Sequence, residues 1–130
     1  MAKIQGAKVL IVEDDAIIAM MVEDMLLELG CEIVATAARL EAAVEKARTL
    51  DLDLAMLDVN LDGRETFPVA DVLTERGVPF VFSTGYGAHV TSGRYEGAQT
   101  LQKPYETQAL ERAVVRALEQ GEAGQQPPRP

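Results

Sequence analysis

The sequence is poor in the residues that form disulfides and soft metal sites. Among its 130 residues there are one cysteine, one histidine and no tryptophan. Because Cys31 is alone, neither an intrachain disulfide nor a thiolate metal cluster can form. A Ser-His-Asp hydrolase is disfavoured as well, since His89 is the only histidine and lies in a glycine-flanked stretch that is expected to be solvated.

Long hydrophobic runs are also missing. The first apolar run, Val9–Val12, is far too short for a signal peptide or a membrane span, and no later run is long enough either. We therefore expect a cytoplasmic protein without a membrane segment.

Basic side chains are few compared with acidic ones. The chain has 12 Lys and Arg against 21 Asp and Glu, which gives a formal net charge of -9. This excess would repel a nucleic-acid backbone and an anionic membrane surface, so neither is expected as a direct partner. It suits a bound divalent cation or a protein partner with a basic patch.

What the chain does have is the composition of one folded domain. Apolar residues make up 48% and charged residues 25%, which is ordinary for a globular protein of this length. Residues 121–130 contain three of the six prolines and are expected to form a disordered tail that builds no core. Residues 1–6 form a short lead, which leaves residues 7–120 for the domain.

Short runs rich in β-branched residues alternate with segments of helical periodicity. The predicted strands are Lys8–Val12, Glu32–Thr36, Leu52–Leu57, Pro79–Ser83 and Thr100–Gln102. Helical patterns follow all five strands, although the one in residues 88–98 is short and poorly specified, and Asn60–Gly63 is typical of a turn. Five strands in alternation with about five helices predict an α/β fold with a doubly wound parallel sheet.

Polar side chains capable of chemistry follow four of these strands. Glu13 and Asp14 come after the first strand and Asp58 after the third. Thr84 comes after the fourth strand and Lys103 after the fifth. Since ligands of open α/β sheets bind outside the carboxyl ends of the strands, we expect these five side chains to converge on one edge of the sheet.

The expected group of carboxylates favours a cation and a phosphoryl group. Two carboxylates about 4 Å apart repel each other by ~4 kcal/mol at an effective dielectric constant near 20, so the group must bind a cation or retain protons. Oxygen ligands without histidine or thiolate favour Mg²⁺. A strand-end Asp is a plausible nucleophile for a phosphoryl group, whose oxygens the hydroxyl and the ammonium would hold. Asp15 is interpreted as a helix N-cap instead.

Four short motifs, in order and on the expected strands, carry a family resemblance. They are Val9–Asp15, Leu57–Gly63, Phe82–Gly85 and Lys103–Pro104. Over residues 7–120 the chain resembles the receiver domain of bacterial response regulators and is similar to the chemotaxis regulator. The resemblance implies a flavodoxin-like fold with strand order 2-1-3-4-5. It also implies a stand-alone signalling protein that catalyses only its own phosphorylation and dephosphorylation.

The resemblance assigns a metal site and a phosphoacceptor. Asp58 becomes the residue that is phosphorylated and also contributes to binding Mg²⁺. Asp14 becomes a direct ligand of the ion, and Glu13 acts on it through water. The backbone carbonyl of Asn60 completes the protein's share of the metal site.

The resemblance also assigns the residues around the phosphoryl group and the partners. Thr84 donates a hydrogen bond to the group, and Lys103 pairs with it after a cis Lys103–Pro104 bond. Asn60 and Tyr86 influence how long the group survives. The donor is implied to be a sensor histidine kinase or a histidine phosphotransfer protein, and the signal passes to a downstream target protein by contact.

One position departs from the pattern of the family. Receiver domains usually carry an aromatic residue three positions before the lysine, where this chain has Thr100. Phe82–Gly87 resembles a subgroup of stand-alone receivers with a Phe-Ala-Thr-Gly-x-Gly motif. In that subgroup the glycine-rich stretch and the weak helix after it are implied to act as the switch.

Two alternatives stay open. A pseudo-receiver would bind partners without phosphorylation, but such domains usually lose one of the acidic residues or the lysine, and this chain keeps them. A small α/β enzyme is the other alternative. A flavodoxin-type FMN carrier needs a phosphate-binding loop where this chain has Glu13–Asp15, and an Asp-nucleophile phosphatase usually has a second Asp where this chain has Asn60.

Overall fold

The structure, a computed structural model, describes residues 4–85, 95 and 97–123, with side chains up to residue 120. Tyr86, His89 and most of the weak helix predicted at 88–98 lie outside the described residues, as do residues 1–3 and 124–130. No helix in the described ranges is both long and apolar enough to cross a bilayer.

Strands and helices alternate along the described chain. The strands are β1 (Lys8–Val12), β2 (Glu32–Ala37), β3 (Leu54–Asp58), β4 (Asn60–Leu61), β5 (Arg64–Glu65), β6 (Phe80–Thr84) and β7 (Gln99–Gln102). The helices are α1 (Ala16–Glu28), α2 (Leu40–Thr49), α3 (Phe67–Arg76) and α4 (Thr107–Ala123). The described residues thus contain four helices where about five were predicted, because the weak one falls mainly outside them.

Five parallel strands form the central sheet. Their order is β2-β1-β3-β6-β7, which confirms the predicted order 2-1-3-4-5 when the two short strands β4 and β5 are set aside. Those two form a separate antiparallel hairpin that pairs Asn60 with Glu65 and Leu61 with Arg64. Only a turn was predicted there, so the chain after β3 is more ordered than its sequence indicated.

Helices cover both faces of the sheet. Leu10 and Val12 of β1 pack with α2 and α3 in one apolar cluster. Val9 and Ile11 pack with α1 and α4 in the other cluster. All four side chains are buried, which explains why β1 is a nearly continuous apolar run. The polar residues start where this burial ends, at the carboxyl end of the strand.

Helix α1 begins directly after Asp15. The side chain of Asp15 accepts hydrogen bonds from the backbone N–H of Ile17 at 2.9 Å and of Ile18 at 3.1 Å. This confirms Asp15 as the N-cap of α1. The cap starts the helix immediately beyond the sheet edge, which leaves Glu13 and Asp14 at that edge.

Cys31 is buried where the chain leaves α1 and enters β2. Its Sγ donates a hydrogen bond to the carbonyl oxygen of Ile4 at 3.5 Å, and burial raises the pKa of the thiol to about 11. Only the thiolate is a nucleophile. At pH 8 we therefore expect the native thiol to react with dithiobis(nitrobenzoic acid) about 100-fold more slowly than the same thiol in concentrated urea. Equal rates in a stopped-flow comparison would contradict this prediction.

Candidate functional site

Four strand ends place the candidate site at one edge of the sheet. Glu13 follows β1, Asp58 ends β3, Thr84 ends β6 and Lys103 follows β7. In the pairing of β3 with β6, Asp58 lies beside Ser83. The backbone N–H of Lys103 donates to the carbonyl oxygen of Thr84 at 2.8 Å. Parallel pairing therefore places the carboxyl ends of these strands side by side at one edge of the sheet. This is the convergence that the alternation of strands and helices predicts.

A lysine bridges two carboxylates at the centre of the site. Lys103 Nζ donates to Glu13 Oε1 at 2.7 Å and to Asp58 Oδ2 at 3.1 Å. The side chains of Lys103, Glu13 and Asp58 are only 14%, 4% and 9% exposed. Removing charges from water costs free energy unless they are paired, so the shared ammonium compensates two carboxylates that would otherwise repel each other.

Burial changes the proton affinity of the groups in the site. Burial, together with the charge of Asp58, raises the pKa of Glu13 to about 7 against the hydrogen bond from Lys103. Burial alone would lower the pKa of Lys103, but the hydrogen bonds and the attraction of the two carboxylates outweigh it and raise that pKa. Burial, followed by the two carboxylates, also raises the pKa of the Tyr105 phenol. The buried Glu13 carboxyl and the Tyr105 phenol thus hold their protons more tightly than the same groups do in water.

Asp14 lies at the exposed rim of the same site. Its Oδ2 accepts a hydrogen bond from the backbone N–H of Asp62 at 2.7 Å. Carboxylate oxygens of Asp14, Glu13 and Asp58 lie within 4.8 Å of one another. Opposite ligands of one Mg²⁺ are about 4.2 Å apart, and the ion prefers oxygen donors and keeps several waters. A set of three carboxylates with one member open to solvent fits this ion.

The segment that follows β3 wraps around Asp58. The backbone N–H of Asn60 donates to Asp58 Oδ1 at 3.2 Å. Thr66 is fully buried, and its hydroxyl donates to the main-chain carbonyl oxygen of Asp58 at 2.8 Å. Thr66 was not predicted as part of the site. The only signal in the sequence is a hydroxyl residue just before the start of α3, a position that has many other uses.

The position that departs from the family pattern is polar and exposed. The hydroxyl of Thr100 donates to the carbonyl oxygen of Ala98 at 3.3 Å. Tyr95 instead brings an aromatic ring to this part of the molecule, with its centroid 5.5 Å from that of Phe80 and 6.0 Å from that of Phe82. The Lys103–Pro104 peptide bond is cis, as the resemblance implied.

Sequence comparison relates the chain to one family. The family model described as the response regulator receiver domain matches residues 9–115. The transcriptional regulatory protein PdtaR of Mycobacterium tuberculosis is 35% identical over 115 residues, which cover 85% of this chain and 56% of PdtaR. The response regulator protein FleR of Pseudomonas aeruginosa is 35% identical over 116 residues, which cover 85% of this chain and 24% of FleR. The chain therefore spans about half the length of PdtaR and about a quarter of FleR.

Solved structures show the same fold. The solution structure of SdrG from Sphingomonas melonis Fr1 is similar to this chain, with a TM-score of 0.79 and 37% sequence identity. The alignment covers 88% of this chain and 97% of SdrG. The crystal structure of the response regulator PhyR from Brucella abortus is also similar, with a TM-score of 0.81 and 27% sequence identity. The alignment covers 92% of this chain and 51% of PhyR. Each of these similarities extends over about nine-tenths of the chain.

Proposed function

This chain belongs to the family of response regulator receiver domains, and we propose that it accepts a phosphoryl group on Asp58 from a histidine of a partner protein, with Mg²⁺ as cofactor. The observation that carries the proposal is the position of the Asp58 carboxylate. It lies 3.1 Å from the ammonium of Lys103 and within 4.8 Å of carboxylate oxygens of Glu13 and Asp14. Residues 7–120 form the receiver domain in this proposal.

Asp58 acts as the nucleophile in the proposed reaction. One of its carboxylate oxygens forms a bond to phosphorus while the bond between phosphorus and the imidazole nitrogen of the donor breaks. The hydrogen bond from the Asn60 N–H to Oδ1 limits rotation of the Asp58 side chain. The hydroxyl of Thr66 fixes the main chain beneath it. A nucleophile held in this way loses little conformational freedom on the way to the transition state.

Lys103 and Thr84 hold the transferred group. Lys103 Nζ, 3.1 Å from Asp58 Oδ2, is within reach of a phosphoryl oxygen attached to that carboxylate. Thr84 supplies a hydroxyl from the end of the neighbouring strand β6. Donors that are in place before the reaction stabilise developing negative charge without having to reorganise.

Asp14, Asp58 and the backbone carbonyl of Asn60 would hold Mg²⁺. When bound, the ion neutralises the charge of the carboxylates and of the phosphoryl oxygens. Glu13 is buried and hydrogen-bonded to Lys103, which supports a role through water rather than as a direct ligand. Asp14 is exposed, which supports its role as a direct ligand of the ion.

The proposed partners follow from this chemistry. A sensor histidine kinase or a histidine phosphotransfer protein in the cytoplasm supplies the phosphoryl group, and a downstream protein receives the signal by contact. PdtaR is named a transcriptional regulatory protein, but the net charge of -9 disfavours direct contact of this chain with DNA. The chain itself catalyses only its own phosphorylation and dephosphorylation.

A binding module that works without phosphorylation is the second candidate. The observation in its favour is that Lys103 pairs with both Glu13 and Asp58, so the chain's own side chains already balance part of the charge. In that case Asp58 would stabilise the sheet edge, and partner binding would not depend on a phosphoryl group.

Incubation with acetyl phosphate tests the proposal directly. In the presence of Mg²⁺ we expect intact-mass spectrometry to show a gain of one phosphoryl group (HPO₃), because the Asp58 carboxylate displaces acetate from phosphorus. A chelator should abolish the gain. If acetyl phosphate gives no gain, titration with beryllofluoride and Mg²⁺ follows. An unchanged amide spectrum in that titration would favour the binding module.

A further inference from the structure

The hairpin of β4 and β5 starts two residues beyond Asp58. Its tip consists of Asp62 and Gly63, both with positive φ, at 50° and 89°. Such a two-residue turn matches the twist of a tight antiparallel hairpin. The side-chain Oδ1 of Asn60 accepts a hydrogen bond from the N–H of Gly63 at 2.7 Å, which closes the tip. The hairpin is therefore a defined piece of structure and not an open loop.

The backbone of this hairpin contacts two of the proposed Mg²⁺ ligands. The N–H of Asp62 donates to Asp14 Oδ2 at 2.7 Å, and the N–H of Asn60 donates to Asp58 Oδ1 at 3.2 Å. The side chain of Asp14 is exposed and would otherwise be free to rotate. The position of the hairpin tip therefore determines where the Asp14 carboxylate points.

An ion pair ties the hairpin to helix α2. The guanidinium of Arg64, on β5, donates to a carboxylate oxygen of Glu41 in the first turn of α2. Between the two elements lies a half-open cavity of about 530 Å³, whose lining includes Asp14, Leu61 and Asp62 as well as the ion pair itself. Leu61 anchors the base of the hairpin in the core. The tip faces this cavity on one side, and among the hydrogen bonds and ion pairs of the described residues the Arg64–Glu41 pair joins the hairpin to α2.

We propose that Arg64 and Glu41 are positioning residues for Mg²⁺ binding, because their ion pair holds the hairpin tip whose N–H orients Asp14. This inference rests on the proposed function, since it assumes that Asp14 and Asp58 bind the ion. Neither Arg64 nor Glu41 is within the set of carboxylates that offer ligand oxygens, so both act through the hairpin.

Positioning and charge predict opposite changes in Mg²⁺ affinity when Arg64 is replaced by a neutral residue. Removing a cation near a group of carboxylates makes the site more negative and should strengthen the binding of Mg²⁺. Loss of positioning should weaken it, because a freely rotating Asp14 must be ordered when the ion binds. The sign of the change in affinity therefore separates the two effects.

The experiment is a titration of the full chain with MgCl₂ at constant ionic strength, followed by the backbone amide signals in NMR spectra. For R64Q we expect Mg²⁺ binding about threefold weaker than for the wild-type chain, a change typical of one exposed ion pair. R64K keeps the charge and should bind Mg²⁺ with an affinity close to that of the wild type. The Asp62 amide should also exchange with solvent faster in R64Q, since its acceptor Asp14 is less well held.

The matched control is the ion pair between Arg48 and Glu45 in α2. It is exposed to a similar degree as the pair of Arg64 with Glu41, but it lies within α2 and does not reach the hairpin. R48Q should bind Mg²⁺ as tightly as the wild type or slightly more tightly. R64Q binding that equals or exceeds the wild-type affinity overturns the inference, and so does equal weakening in R64Q and R48Q. If the wild-type chain itself shows no saturable response to Mg²⁺, the proposed function fails and the inference fails with it.

Discussion

The Asp58→Asn variant is expected to gain no phosphoryl group from acetyl phosphate under conditions in which the wild-type chain gains one. An amide is a far weaker nucleophile than a carboxylate, so the bond from the side chain to phosphorus does not form. Asn has the same shape as Asp and keeps an oxygen that can accept the hydrogen bond from the Asn60 N–H. Lys103 keeps its partner Glu13 at 2.7 Å. The variant should therefore lose the chemistry and retain the fold.

Intact-mass spectrometry and thermal unfolding together check this prediction. The mass should stay that of the unmodified chain, and unfolding should stay cooperative. Asp62→Asn is the matched control, because it is the same substitution four residues away, at an exposed position whose positive φ of 50° Asn tolerates. Asp62→Asn keeps the N–H that donates to Asp14 and should gain one phosphoryl group. A phosphorylated Asp58→Asn chain would show that another residue is the acceptor.

The convergence of the site could be predicted because it depends only on topology. Once residues such as Val9–Val12 indicate a strand that is buried on both faces, a parallel sheet follows, and all its strands end at one edge. The residue after each strand then lies at that edge whatever the details of packing. This reasoning brings Glu13, Asp58 and Lys103 together, and in the structure the Lys103 ammonium contacts both carboxylates.

The hairpin and its contacts could not be predicted in the same way. Asn60–Gly63 is typical of a turn, but Asn60–Leu61 and Arg64–Glu65, on either side of the tip, form strands only because of backbone hydrogen bonds. No side-chain pattern records those bonds. The contact between Arg64 and Glu41 spans 23 residues of sequence. It joins two long, exposed side chains, and a chain with many charged residues offers many such pairs.

Thr66 and Tyr95 show a second reason why the sequence does not predict every residue around the site. The sequence does not single out Thr66, because a hydroxyl near a helix start usually faces solvent or caps the helix. In the structure this hydroxyl is buried against the main-chain carbonyl of Asp58. Tyr95 lies in a stretch with little periodicity, yet its ring contacts Phe67, Phe80 and Phe82. Its phenol also donates a hydrogen bond to Asp71 of α3. Tertiary contacts of this kind leave no trace in local spacing.

Phe82 is the largest fully buried side chain among the described residues, so its truncation should lower the stability of the fold strongly. It is fully buried in the middle of β6, and β6 pairs with β3 on one side and β7 on the other. Its ring centroid lies 5.3 Å from that of Phe80 and 6.0 Å from those of Phe67 and Tyr95. Phe82→Ala removes the central ring of this group and leaves a cavity that neighbouring strands cannot close.

We expect Phe82→Ala to lower the free energy of unfolding by about 3–5 kcal/mol. This is a large part of the roughly 5–15 kcal/mol that stabilises a typical domain, so the midpoint of urea unfolding should fall by about 2 M. Circular dichroism, followed as a function of urea concentration, measures this midpoint.

Ile17→Ala is the control, because Ile17 is also a large apolar residue but is 72% exposed. This substitution should change the free energy of unfolding by less than about 0.5 kcal/mol. A loss below about 1 kcal/mol in Phe82→Ala would mean that the rings repack around the gap. A large loss would show that the fold depends on this aromatic core, which holds the strand that ends at Thr84.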